Sequence, residues 1–519
     1  MKKKQLWVAL ALSGLITMNA TYAGEREDLE SLRATTQALI DALVQKGVIT
    51  PEAAKAMIQR AEQKGRDKAA EAEPTEPGPD VVRVPYIPET VKREIRDELR
   101  TEVLAEAKND NWGDLNAVPD WVHGLKWEGD LRLRYEGEFF SSGNAPPYQF
   151  QSEGVNLTDT SQDTSNFRLR ARLGLLAQVN DTVSTGFRIT TGNTSNPVST
   201  NQTMGNTQNK YSLVLDLAYA KLTPSSWFNI SGGRIPNPFF STDLVWADDL
   251  NFEGVAANFS PWANTALELK PFLTVGAFPL EYQQPSPTDL AENKWMYAAQ
   301  AGLDWRISDN TRSRFGLAYY DYVHVAGVEN PTPALIGLYA NSAPQFVQKG
   351  NSLYVIDNNN GNAAIPPIWG LAADYRLLDL TASMDLAQFA PTHVILGADV
   401  VKNIGYDANA VASRLGVPGY QARTLGYLGK VTVGMPTIKN QDDWQLYFGY
   451  KHLGRDATLD AFPDPDFDLG GTNAKGYFLG GRYGTGTNSW LSMKWLSADT
   501  IDGLQFNVDV LQVDFNAAF

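Results

Sequence analysis

Trp127-Glu128-Gly129-Asp130-Leu131-Arg132-Leu133-Arg134-Tyr135-Glu136 places an apolar residue or glycine at every odd position and a charged residue at every even one. A period of two marks a β-strand with one dry face and one wet face. The next stretch repeats it, with Phe167, Leu169, Ala171, Leu173 and Leu175 on one side and Arg168, Arg170 and Arg172 on the other. Asn180-Asp181-Thr182 then predicts a tight turn into Val183, Thr185, Phe187 and Ile189, with Arg188 opposite. The rhythm recurs to the C-terminus and predicts about sixteen strands between residues 125 and 519, roughly 25 residues for each strand with its connection. Compact turns such as 180–182, 308–310 and 485–488 alternate with long polar stretches at 192–210, 323–367 and 454–473.

Composition narrows the class. The chain of 519 residues carries a formal net charge of −15, no cysteine and four histidines, His123, His324, His393 and His452, too scattered to form a ligand pair. Disulfide frameworks, thiolate zinc sites and a histidine metal centre are thereby excluded. The acidic balance argues against nucleic acid as a partner, because neutralising phosphates needs a basic face. Neither GxSxG, Walker-type GxxxxGK, HExxH nor a helix-opening GxGxxG occurs, so no enzyme class and no cofactor is indicated. His393, beside Thr392 and near Ser383, reads as an interfacial polar residue.

A soluble sheet also alternates, but three features point to a closed barrel in a membrane. The wet faces carry charges along the strands, whereas a soluble barrel fills its interior with aliphatic side chains. Tryptophans, among them Trp127, Trp227, Trp262, Trp295, Trp305, Trp444, Trp490 and Trp495, gather toward the ends of the dry faces, as an interfacial girdle requires. The chain stops on an alternating strand, Leu511, Val513, Phe515, Ala517 and Phe519. In hydrocarbon every backbone N–H and C=O must be paired, which strands achieve only by closing on themselves. The parity of this last strand breaks at Val510-Leu511, which predicts a bulge.

Upstream of the barrel, Lys2, Lys3 and Lys4, the apolar run Leu6–Ile16 and Thr21-Tyr22-Ala23 read as an export signal peptide over 1–23. Residues 24–70 read as a helical, coiled-coil-like region with a seam at Leu29, Leu32, Thr36, Leu39 and Leu43. A Pro-rich linker over 71–88 and a charged helix with its connector over 89–124 complete the expected organisation, with the barrel over 125–519.

The final strand, with Val513, Phe515 and the terminal Phe519, resembles the assembly signal of bacterial outer-membrane barrels, which implies the barrel-assembly machinery as a partner. More widely, Tyr86-Ile87-Pro88-Glu89, the acidic-basic helix, Pro119-Asp120-Trp121 and Gly129-Asp130-Leu131-Arg132-Leu133-Arg134-Tyr135-Glu136 resemble the putative porin family of Gram-negative bacteria over essentially the mature chain. The resemblance implies an all-β, closed antiparallel outer-membrane barrel of about sixteen strands with a helical periplasmic N-terminal extension, and passive solute diffusion as the activity.

A barrel of that strand number is too wide for side chains to fill and encloses water unless loops plug it. Arg132, Arg134, Arg168, Arg170, Arg172 and Arg188 fall on inward positions of three consecutive strands, and Glu128, Asp130, Asp216 and Asp304 are acidic members of the same inner face. Two readings stand side by side: a segregated field that biases ion choice, and cross-strand ion pairing that stiffens the wall. The stretches 323–367 and 192–210 are the candidate constrictions. Asp464, Asp466, Asp468 and Gly470 invite a calcium-loop reading, but Leu469 stands where the turn glycine belongs and Lys475 where the bidentate glutamate belongs, so the segment reads as a polar exterior loop.

The leading expectation is a porin for small hydrophilic solutes and ions in contact with outer-membrane lipid. A structural tether, reaching the cell wall through the helical N-terminus, and a substrate-specific anion channel are the alternatives, and a homotrimer is the expected assembly.

Overall fold

The computed structural model describes residues 55, 124–284, 286–332, 334–362 and 365–519. The expected signal peptide, coiled-coil-like region, linker and charged helix lie outside the described residues, apart from Lys55 and Gly124.

Among the described residues nineteen strands follow in chain order: β1 (Leu125–Phe140), β2 (Thr164–Gln178), β3 (Val183–Thr191), β4 (Gln202–Thr203), β5 (Leu213–Ser225), β6 (Phe228–Pro236), β7 (Asn251–Phe259), β8 (Leu269–Glu281), β9 (Lys294–Ser308), β10 (Thr311–Val323), β11 (Leu353–Asp357), β12 (Ile368–Leu371), β13 (Arg376–Phe389), β14 (Thr392–Asn403), β15 (Leu425–Gly434), β16 (Trp444–Leu453), β17 (Ala474–Gly486), β18 (Ser489–Thr500) and β19 (Val508–Ala518). β4 is a two-residue addition beside β2, and β11 with β12 forms a separate two-stranded sheet. The other sixteen each pair antiparallel with the strand before and after, and β19 returns to β1, closing the barrel. The described barrel thus leaves no backbone edge facing lipid, which is the condition for crossing a bilayer with strands.

Alternation sorts the side chains as the first stretch of sequence implies. Trp127, Leu131 and Leu133 point outward and are 59%, 40% and 46% exposed, whereas Arg134 and Glu136 point inward and are 5% and 2% exposed. Seven connections leave the end where the barrel begins and stops, and eight leave the other. The 180–182 turn is tied by the Asn180 side chain, whose oxygen accepts from the N–H groups of Thr182 at 3.0 Å and Val183 at 2.9 Å. At the far end the eight connections are L1 (141–163), L2 (192–212), L3 (237–250), L4 (282–293), L5 (324–375), L6 (404–424), L7 (454–473) and L8 (501–507).

The expected bulge at Val510-Leu511 is absent. β19 runs in unbroken register against both β1 and β18. Val508 and Val510 face inward and are buried, as Gln512, Asp514 and Asn516 are further along. The apparent parity break arises because L1 and L8 lay an apolar roof over that part of the wall, where Phe506 meets Phe140 and Phe150 edge-on at 5.8 and 6.1 Å. Phe519 completes the ladder, exchanging backbone hydrogen bonds of 3.0 Å with Gly129. Gly129 is required there, since a Cβ would run into the Phe519 ring and meet the Arg172 carbonyl at 2.8 Å. Val513 and Phe515 lie on the outward face.

Candidate functional site: the lumen and its two inserted loops

L3 is drawn inside because its sequence is apolar where a solvated loop would be polar. Leu244, Val245, Trp246 and Ala247 are buried, and the wall facing them, although nominally the wet side, carries Phe252, Phe278, Ala298 and Tyr320. Trp246 packs at 4.8 Å from Phe252 and 5.2 Å from Tyr320, and on its other side at 5.5 Å from Phe462 of L7. Polar clasps fix the rest. Phe240 donates its N–H to Gln300 at 2.8 Å while Gln300 donates back to the Phe240 carbonyl at 2.7 Å, and Thr242 donates to Asp399 at 2.6 Å.

L7 enters beside it. Its Phe462 carbonyl accepts from the Ala247 N–H at 2.8 Å, and its Asp464 N–H donates to the Asp243 carbonyl at 3.2 Å. Asp464, Asp466 and Asp468 each meet a different cation: Lys494 at 3.5 Å, Arg134 at 3.2 Å and Lys349 at 2.6 Å. The expectation of a polar exterior loop at 454–473 is therefore corrected. An alternating Asp run looks solvated in sequence, but here each carboxylate has a cationic partner on the wall or on L5. The two candidate constrictions are tied to these loops: Thr200 of L2 donates to Asp249 of L3 at 2.9 Å, and Asn351 of L5 donates to the Thr458 carbonyl of L7 at 2.9 Å.

The six stripe arginines all face inward and all are engaged. Arg134 grips Asp514 with two bonds of 2.8 and 3.1 Å as well as Asp466, and Arg132 donates to Asn516 at 3.3 Å with Asp514 at 4.0 Å. Arg168 pairs with Glu136 at 2.7 Å. Arg170 and Arg172 converge on Asp130, at 2.9 and 2.6 Å, and on Asp249 of L3, at 3.1 and 3.2 Å. Arg188 pairs with Asp216 at 2.6 Å. Asp304 pairs with Arg314 at 3.2 Å on β9 and β10, away from the stripe, and Glu128 lies against Gly174. Among the described residues six arginines thus share six carboxylates, Asp130, Glu136, Asp216, Asp249, Asp466 and Asp514. The stripe presents little unpaired positive charge and instead clamps L3 and L7 to the wall.

Of the exposed charges on the inner face, sequence reasoning named Asp304 but missed three others. Asp248 of L3, Lys430 of β15 and Arg482 of β17 are exposed, with neighbours Leu428 and Phe478 marking the inward parity of the two strands. Asp243, Asp248 and Asp464 form an acidic group on the inserted loops, and Lys430, Arg482 and Lys494 a basic group on the wall within its electrostatic reach. The parity of Lys430 and Arg482 was available in sequence. That of Asp248 was not, because nothing local says that its loop turns inward.

Burial also tunes the L7 carboxyls. Burial works against the charge on Asp466, yet Arg134 and then Lys494 hold it well below the usual carboxylate range. Asp460 is pushed up to about 7 by burial and then by Asp456, and Asp468 to about 6 by burial, with Lys349 opposing. Both raised groups favour the protonated fold, so their contribution is complete below an ordinary carboxyl pKa and is lost as pH rises through about 6 to 7. Protection of the 454–473 amides, taken relative to their base-catalysed intrinsic exchange rates, is expected to be weaker at pH 8 than at pH 5, and Asp460→Asn should flatten the difference; stronger protection at pH 8 would contradict the sign.

A family model described as putative porin matches residues 33–519, and the chain belongs to that family. It is accordingly an outer-membrane channel protein. No curated protein sequence matches it significantly. Among solved structures, OprB of Pseudomonas putida is similar at 12% identity over 79% of this chain and 97% of that one, with a TM-score of 0.45. OmpF of Salmonella typhi, in complex with daunomycin, is 10% identical over 76% and 97%, with a TM-score of 0.39. The outer-membrane channel DcaP of Acinetobacter baumannii is 11% identical over 76% and 98%, with a TM-score of 0.37.

Proposed function

We propose that the protein is a porin that lets small hydrophilic solutes and ions diffuse passively through a lumen narrowed by L3 and L7. The observation that carries this reading is the exposure of Asp248, Lys430 and Arg482 inside a wall whose arginine stripe is paired. Acids on the inserted loops facing bases on β15, β17 and β18 set a field across the passage, which orients dipolar solutes and adjusts ion preference without a bound substrate. The arginine stripe acts as the clamp that positions the loops. A channel dedicated to anions gains nothing from arginines already neutralised, and the tether reading has no described residue in its favour. Outer-membrane lipid surrounds the exposed apolar band, the N-terminal extension lies in the periplasm, and three copies assemble together.

Reversal potentials in a salt gradient across a planar bilayer test the field. Asp248→Asn is expected to shift selectivity toward anions, and Lys430→Gln with Arg482→Gln toward cations, without loss of the folded barrel. The wild-type reversal potential in both variants would place these side chains off the ion path.

A further inference from the structure

Behind L3 the barrel wall holds a second acidic feature that the channel reading does not use. Asp379 on β13 and Asp399 on β14 are both 0% exposed, and their carboxyl groups lie within hydrogen-bond reach of each other. Neither forms an ion pair among the described residues. Both oxygens of Asp379 and Oδ1 of Asp399 accept no hydrogen bond from any described donor, and the buried hydroxyls of Thr381 and Tyr322 are likewise unpartnered. These groups share one patch of the inner face: Thr381 is directly opposite Asp399 in the β13–β14 register, and Tyr322 of β10 is electrostatically coupled to Asp379. Among the described residues the further charge acting on the pair is like-signed, from Asp243 of L3. L3 is tied to the patch through the bond from Thr242 to Asp399 Oδ2.

We propose that this patch is a cation site, taking one divalent ion of the calcium class, and that the ion fastens the constriction loop to the wall. Two adjacent carboxylates buried without a cation carry an uncompensated charge that a low-dielectric interior does not tolerate. A divalent ion balances both. The available donors are all oxygens, two carboxylates completed by neutral hydroxyls of unequal reach. Calcium accepts such irregular oxygen shells, whereas magnesium demands a regular octahedron and keeps its water. Because the side chains are sealed beneath L3, the ion enters while the barrel folds.

Refolding the full mature chain into detergent with terbium tests the site, since Tyr320 and Tyr322 of β10 can sensitise its emission. Sensitised emission that calcium competes away and sodium does not is expected, with elemental analysis of protein refolded in calcium giving one ion per chain. Asp379→Asn and Asp399→Asn should each remove the competable emission while the folded barrel keeps its heat-resistant gel mobility. If either variant fails to fold, the calcium content of the wild-type barrel after gel filtration into metal-free buffer decides alone. Absence of bound ion, or emission indifferent to both substitutions, would overturn the proposal and leave a proton shared between the two carboxyls. Conductance is not the readout, so a negative result here leaves the channel function standing.

Discussion

Arg134→Ala is expected to destabilise the folded barrel by about 3–5 kcal/mol and to release L7 from the wall. The guanidinium is almost wholly buried and is the shared partner of Asp514, Asp466 and, more distantly at 3.5 Å, Glu136. Its removal strands carboxylates inside the lumen, and the cost is that of leaving them uncompensated, which exceeds the net worth of the pairs. Thermal melting in detergent gives the stability loss, and bilayer recording gives the second consequence, a larger and noisier unit conductance. Combining Arg134→Ala with Asp466→Asn should recover part of the loss, because one of the stranded charges is then absent. If the double variant is no more stable than the single, the clamp does not run through this pair.

Trp246→Ala is the matching test of L3. The indole is 2% exposed and touches the wall through Phe252 and Tyr320 and L7 through Phe462. Truncation leaves a cavity where three surfaces meet, at about 3–5 kcal/mol. That loss falls on the docking of the loop, since the sixteen-strand ladder does not pass through it. Faster hydrogen exchange and new protease cleavage confined to 237–250 are expected, with the barrel strands unchanged. Protection across 237–250 equal to that of the wild type would mean that the polar clasps of Phe240 and Thr242 suffice to hold L3.

Much of the barrel was legible in sequence because lipid outside and water inside impose a local rule at every second residue. Leu131 and Arg132, or Leu169 and Arg170, declare their faces without reference to anything distant. The same rule placed the six arginines on the inner wall but could not say what they hold, because Arg134 and Asp466 are 332 residues apart. It failed wherever a loop replaces water as the neighbour of the wet face. Phe252, Phe278 and Val510 are apolar at inward positions because L3 or the L1–L8 roof covers them, and from sequence alone this looks like weak patterning or a bulge. L3 itself was overlooked since Leu244-Val245-Trp246-Ala247 is neither polar enough to read as a loop nor long enough to stand as another strand.

The chain contains no cysteine, so Asp248→Cys introduces a single thiol into a silent background. Adding a cationic methanethiosulfonate reagent during single-channel recording tests most directly whether Asp248 borders the route that ions take. A stepwise, irreversible change in the current of each open channel, absent from the cysteine-free protein, is the expected result. Channels that conduct normally and stay unchanged after complete labelling would contradict it, and would place the passage away from L3.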